Sequence, residues 1–275
     1  MPKTIIVTGA SDGIGAAAAR RLSIDGHRVV IVGRSPKKTS AIAAELGADH
    51  FVADFASLDS VRALAADIAA AYPRIDVLAN NAGGVFGDPA RTVDGHEKTM
   101  QVNHLAPFLL TNLLMPVLLD SRASVIQTSS DAARITGRLV VDDLDNDRGR
   151  SAVRTYGDAK LANILFTSEL HARFGERGLS SAAFHPGTVA TGFASDTASA
   201  SMRFVYANPL IRRFIATPMS AATQLVWLAE GEPGTDWRPG GYYEKRALAK
   251  NTNPQTADAA LARRLWETSA EMVGL

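Results

Sequence analysis

Short β-branched runs alternate with Ala-rich stretches along this chain: Ile5 to Val7, Val29 to Val32, Phe51 to Val52, Val77 to Leu78, Val125 to Gln127 and Ala182 to Phe184. These runs are apolar without strict alternation, which suits strands buried on both faces, and the segments between them are long enough for crossover helices. The pattern predicts the α/β class: a Rossmann-like, doubly wound parallel sheet. Two stretches break the rhythm. The first, 131–154, is rich in Asp, Arg and Gly and reads as a surface insertion. The second, 194–217, holds Ser199-Ala200-Ser201 and then a hydrophobic, basic piece from Met202 to Ile215. It reads either as a lid over an apolar substrate or as a helix closing the fold. There is no internal repeat and no dividing linker, so one domain spanning 1–275 is expected.

Composition narrows the function classes. At 275 residues and 46% hydrophobic, the chain can bury one large core. Its 29 basic and 28 acidic side chains leave a net charge of +1, too little to gather nucleic acid or anionic lipid. With no cysteine, disulfides, thiolate nucleophiles and Cys-ligated metals are excluded. The first apolar run follows Met1-Pro2-Lys3 directly and no apolar span reaches membrane length, so a soluble, cytoplasmic protein is expected. Asp143, Asp145 and Asp147 mimic the opening of a calcium loop, but Gly149 comes one place late and Arg154 stands where the closing glutamate belongs. That stretch reads as a solvated acidic loop. The histidines show no ligand spacing, so no metal is expected.

The chemistry-bearing residues lie at two places. Gly9, Gly13 and Gly15, with Ser11 and Ile14 among them, follow a predicted strand and open a predicted helix. Missing side chains there let backbone N–H groups and a helix N-terminus approach a pyrophosphate. Far downstream, Tyr156 and Lys160 stand four apart and share one helix face. An ammonium beside a phenol favours the phenolate and brings proton exchange toward working pH. A proton exchanged by Tyr156 beside a hydride exchanged by a nicotinamide is alcohol–carbonyl chemistry.

These motifs, together with Asp54-Phe55, Asn80-Asn81-Ala82-Gly83, Val102-Asn103, Thr128-Ser129-Ser130 and Pro186-Gly187-Thr188-Val189-Ala190-Thr191, resemble the short-chain dehydrogenases/reductases over nearly the whole chain. Tyr156 to Phe166, the insertion before it, and Thr217-Pro218 with Ala221-Ala222-Thr223 are similar to the retinol-dehydrogenase-like branch. The resemblance implies that Gly9, Ser11, Gly13, Ile14 and Gly15 form the phosphate turn. It places Asp54 and Phe55 beside the adenine, and Asn81, Ala82 and Gly83 at the adenosine ribose. It makes Ser130 the donor to the substrate oxygen, Tyr156 the acid/base and Lys160 the ribose ligand. Asn103 would hold a relay water, while Pro186, Gly187, Val189 and Thr191 would meet the nicotinamide.

At the end of the second strand there is no carboxylate over 33–35, and Arg34 suits a 2′-phosphate, which favours NADP(H) over NAD(H). Asp12, which would repel that phosphate, is the contrary sign. The expected substrate is a small hydrophobic alcohol, aldehyde or ketone, walled by Met202, Phe204, Val205, Leu210, Ile211, Phe214 and Ile215. The helices around 96–119 and 151–175 would suit a homodimer or homotetramer. The competing reading is a catalytically silent nicotinamide-nucleotide sensor, against which stand the retained Ser130, Tyr156 and Lys160.

Overall fold

Ile5, Ile6 and Val7 are all fully buried, so β1 (Thr4–Thr8) is covered on both faces, as its unbroken apolar run requires. The computed structural model describes residues 1–87, 91–187 and 217–275. The chain then forms α1 (Gly13–Ile24), β2 (Arg28–Gly33), α2 (Pro36–Leu46), β3 (Asp49–Val52), α3 (Leu58–Ala71) and β4 (Val77–Asn80). It continues through α4 (Lys98–Met100), a π-helical turn over Gln101–Leu105, α5 (Ala106–Leu113), α6 (Met115–Asp120), β5 (Ser124–Thr128) and α7 (Ala132–Ile135). The long helix α8 (Ala152–Phe174) and β6 (Ser180–His185) follow. Last come α9 (Pro218–Glu230), β7 (Gly241–Glu244), β8 (Ala247–Leu248) and α10 (Ala259–Met272).

The sheet order is β3-β2-β1-β4-β5-β6-β7-β8, parallel except for the antiparallel β8. Strands 2 and 3 lie to one side of β1 and the rest to the other, so the loops leaving β1 and β4 diverge. That reversal opens the crevice where open α/β sheets take ligands. Ile6, Leu78 and Val125 face α3, α5, α8 and α10, while Val7, Ala79 and Ile126 face α1 and α9. The sheet has two strands beyond the six foreseen: β7 and β8 are four and two residues long and only partly covered, too short to stand out as apolar runs. Among the described residues, no helix is long and apolar enough to cross a membrane.

The insertion is not simply surface. Leu139, Val141 and Leu144 are at most 4% exposed and join the main core. Its polar groups are held as well: Asn253 Nδ2 donates to the carbonyls of Ala133 and Gly137 at 2.8 Å each, and Gln255 bonds both backbone groups of Leu139. The fully buried carboxylate of Asp158 on α8 accepts from the Arg138 N–H at 2.5 Å and lies 3.2 Å from Arg150 Nε. Burial pushes that carboxyl up from its usual range. Asp143, expected in a solvated loop, is instead 6% exposed and paired with Arg150, and Asp145 accepts from the Glu97 N–H.

The π turn has a cause in the sequence. Pro107 lacks an N–H, and its ring crowds the carbonyl four residues back, that of Asn103, so a regular α register is disfavoured there. The turn buries all of Gln101 to Leu105. His104 is fully buried, and the cost of charging it there holds its pKa down at about 4. Above about pH 6.5 it is neutral in both folded and unfolded chains. Below that the unfolded chain takes up a proton that the folded one refuses, so stability falls with pH. Urea unfolding at pH 7, 5.5 and 4 is expected to show wild type losing up to about 3 kcal/mol more than His104→Asn over this window. Parallel losses in the two proteins would contradict this burial.

Candidate active site

The glycine turn follows from backbone demands. Gly9 has φ +66°, and a Cβ there would stand 2.8 Å from Ala82 Cα, so the β1 and β4 loops can touch only without that side chain. Asp12 caps α1 by accepting from the Gly13 N–H at 2.7 Å. Asn81 ties the loops together: its Nδ2 donates to Thr8 O at 3.0 Å and its Oδ1 accepts from Thr128 Oγ1 at 3.3 Å. Gly15 lies behind the turn, with space for its Cβ closed by Gly9 O at 2.4 Å. It permits helix and turn to pack and does not line the cleft.

Beside the turn, Arg34 and Lys38 both line the cleft. Lys38 Nζ donates to Asp12 Oδ2 at 2.9 Å, and this bond with the Gly13 N–H holds the Asp12 carboxyl below its ordinary range. The charge that counted against a 2′-phosphate is therefore met by a cation. Asp54 is exposed on the same wall, where its Oδ1 accepts from the Ala56 N–H, and Phe55 is 5% exposed beneath it.

At the other end, β5 delivers Ser129 and Ser130. Ser129 is 1% exposed and its hydroxyl donates to the Lys160 carbonyl at 2.8 Å, whereas Ser130 is partly open to the cleft. Ser130 Oγ accepts from the Ala132 N–H at 3.2 Å, which leaves its proton for another acceptor. Tyr156 and Lys160 project from α8 into the same space, the amine 5.5 Å from the phenol ring centre. Lys160 is 2% exposed; its Nζ donates to Thr128 O at 3.0 Å, and desolvation lowers its pKa to about 7.

Asn103 does not reach the cleft wall. Its Nδ2 donates to Gly84 O and Thr99 O at 2.8 Å each, and its Oδ1 accepts from the Gly84 N–H at 3.1 Å. The side-chain amide is thus used on backbone. The backbone carbonyl of Asn103 lacks its i+4 donor, since that residue is Pro107.

Apart from Gly15 and Asn103, these features border one cleft of about 760 Å³. Gly9, Ser11, Gly13, Ile14, Arg34, Asp54, Phe55, Asn81, Ala82, Gly83, Ser130, Tyr156, Lys160, Pro186 and Gly187 all line it. Val189, Thr191 and all of the possible lid 194–217 except Thr217 lie outside the described residues, as do the apolar side chains from Met202 to Ile215. Sequence reasoning missed Lys38, hidden in a Lys37-Lys38 pair that reads as a solvated helix start, and the apolar wall of Phe86, Ile135 and Val153. The cleft fits a dinucleotide: it is of ligand-binding size, has a bare backbone turn at a helix N-terminus, and carries two cations beside the β2 end.

A Cβ on Gly83 would lie 2.4 Å from Asn103 Oδ1 and 3.1 Å from Lys160 Nζ, so this position must stay bare for the lysine to sit where it does. Gly83→Ala is expected to lower the unfolding free energy by about 1–3 kcal/mol and to move Lys160 off the Thr128 carbonyl. Urea unfolding and a crystal structure of the variant check this; unchanged stability with an unmoved lysine would contradict it.

A profile of the short chain dehydrogenase family matches residues 3–201. A Streptomyces sp. (strain C5) protein provisionally named daunorubicin C-13 ketoreductase is 44% identical, the alignment covering 99% of this chain and 93% of that one. Retinol dehydrogenase 13 of Homo sapiens is 36% identical, covering 99% and 85%. A crystal structure from Mycobacterium paratuberculosis, of a protein without assigned function, superposes with a TM-score of 0.77 at 31% identity, covering 99% and 93%. A Burkholderia cenocepacia J2315 short chain dehydrogenase in complex with NADP superposes with a TM-score of 0.67 at 25% identity, covering 88% and 94%. The chain therefore belongs to the short-chain dehydrogenase/reductase family, in its retinol-dehydrogenase-like part, and is an NAD(P)-dependent oxidoreductase.

Proposed function

We propose that this enzyme interconverts a carbonyl and an alcohol on a hydrophobic small molecule, with NADP(H) preferred to NAD(H) and Tyr156 as acid/base. The observation that carries the reading is the meeting of Ser130, Tyr156 and Lys160 on one cleft wall, with the glycine turn along the same cleft. The turn, Asp54 and Asn81 to Gly83 would hold the adenosine half, and Lys160, Pro186 and Gly187 the nicotinamide half. When bound, the nicotinamide supplies hydride to the substrate carbon or takes it back.

The chain's own groups handle the oxygen. Ser130 donates a hydrogen bond to the substrate oxygen, and that bond strengthens as negative charge builds there during reduction. Tyr156 gives its proton to the same oxygen, and in oxidation it removes one. Lys160 favours the phenolate while it is charged. A lysine with pKa about 7 can also release and recover its proton at working pH, as a relay group must. The carbonyl of Asn103, which Pro107 deprives of its i+4 donor, would be the site for the water that carries the proton onward.

Two further features support the finer reading. Arg34 and Lys38 bring two cations to where a 2′-phosphate would lie, and Lys38 also offsets Asp12. Ile135 and Val153 are 65% and 45% exposed in the cleft, an apolar wall suited to an apolar ligand. The relatives named for retinol and for a daunorubicin ketone are consistent with such substrates.

The test follows absorbance of NADPH and NADH against apolar aldehydes and ketones. Tyr156→Phe is expected to lose about 10²- to 10⁴-fold in turnover. Arg34→Ala combined with Lys38→Ala is expected to raise the KM for NADPH about tenfold or more and to leave that for NADH nearly unchanged. Full activity in the phenylalanine variant would overturn the acid/base role, and equal KM changes for both nucleotides would overturn the preference.

A further inference from the structure

On the sheet face covered by α5, α8 and α10, three buried polar side chains form a line that ends at the Thr128 carbonyl. Ser269 on α10 and His104 in the π turn are 0% exposed, and Asn163 on α8 is 2% exposed. Ser269 Oγ lies 2.9 Å from His104 Nε2, and His104 Nδ1 lies 3.3 Å from Asn163 Oδ1. Asn163 Nδ2 reaches Thr128 O at 3.4 Å, and the same carbonyl accepts from Lys160 Nζ at 3.0 Å.

The line has a direction. The Asn163 Oδ1 can only accept, so neutral His104 carries its proton on Nδ1, and its Nε2 accepts from the Ser269 hydroxyl. With its oxygen held by His104, the Asn163 amide must present N–H to Thr128. A carbonyl has two lone-pair directions. Asn163 occupies one, and the lysine amine is confined to the other. The Phe108 and Phe166 rings, centred 6.1 Å from the His104 ring, surround the line with apolar surface, where a hydrogen bond is stronger and a broken one more costly.

We propose that Asn163, oriented by His104 and Ser269, is a positioning residue that fixes the Lys160 amine by sharing the Thr128 carbonyl, and thereby sets how firmly the nicotinamide nucleotide is held. This rests on the site reading above, in which Lys160 meets the nucleotide ribose. Asn163 itself touches neither nucleotide nor substrate. The bland alternative is that the three side chains merely satisfy one another in the core; they would then stabilise the fold with no specific link to Lys160.

A double-mutant cycle on NADPH dissociation, read by fluorescence without turnover, separates the two. Asn163→Ala is expected to weaken NADPH about fivefold or more in the wild-type background and to have almost no effect in the Lys160→Met background. His104→Asn keeps an N–H donor near the Nδ1 position, so its affinity should stay within about twofold of wild type, whereas His104→Leu should match the Asn163→Ala loss. Equal losses in both lysine backgrounds, or no loss in either, would overturn the inference alone. Failure of the wild-type protein to bind NADPH or NADH would overturn the site reading and this inference together.

Discussion

The amine of Lys160 is buried inside the protein against one backbone carbonyl, and the arrangement of the site follows from keeping it there. Burying an ammonium is costly, and the cost appears as a pKa lowered to about 7. The sheet supplies the carbonyl at the end of β5. The β4 loop supplies the space, because Gly83 has no side chain to meet the amine. The long helix α8 supplies the lysine, with Tyr156 one turn before it on the same face. The π turn closes the back of this space with Asn103, whose amide holds the backbone of Gly84 in place.

Under the proposed function, the same constraint sets stability against activity. A neutral apolar side chain at 160 would pack without a desolvation penalty, so the charge is kept at a cost to the fold. Asp158, two residues away on the same helix, is another buried ionisable group, its carboxyl pushed up by burial. It has Arg150 and the Arg138 N–H as partners, and it anchors the segment that supplies Ile135 and Val153 to the cleft. One face of the N-terminal half of α8 thus brings Tyr156 and Lys160 to the cleft, and another secures the cleft's wall.

Much of this was legible in the sequence, for reasons that can be named. β1, β2, β4, β5 and β6 were readable because strands buried on both faces carry unbroken apolar runs, and the glycine turn because its backbone admits no side chains. Tyr156 and Lys160 were readable from helical spacing. The illegible parts depend on distant pairings or on unusual register. Lys38 meets Asp12 across 26 residues, and nothing local marks Asp158 as the partner of Arg150. The π turn breaks the period from which a helix face is read, so His104 could not be placed opposite Asn163 and Ser269. The acidic loop looked solvated because Asp143 stands among other polar residues, and only the fold brings Arg150 onto it.

The direct measurement is the ionisation of Lys160 in the nucleotide-free protein, followed by NMR of ¹³C-labelled lysine side chains with Lys160→Met to assign the signal. The account predicts a titration centred at about pH 7, well below the ordinary value of a lysine amine. A midpoint at about 10.4, the value of an exposed lysine, would show that the amine is not held in the protein interior and would contradict the account at its centre.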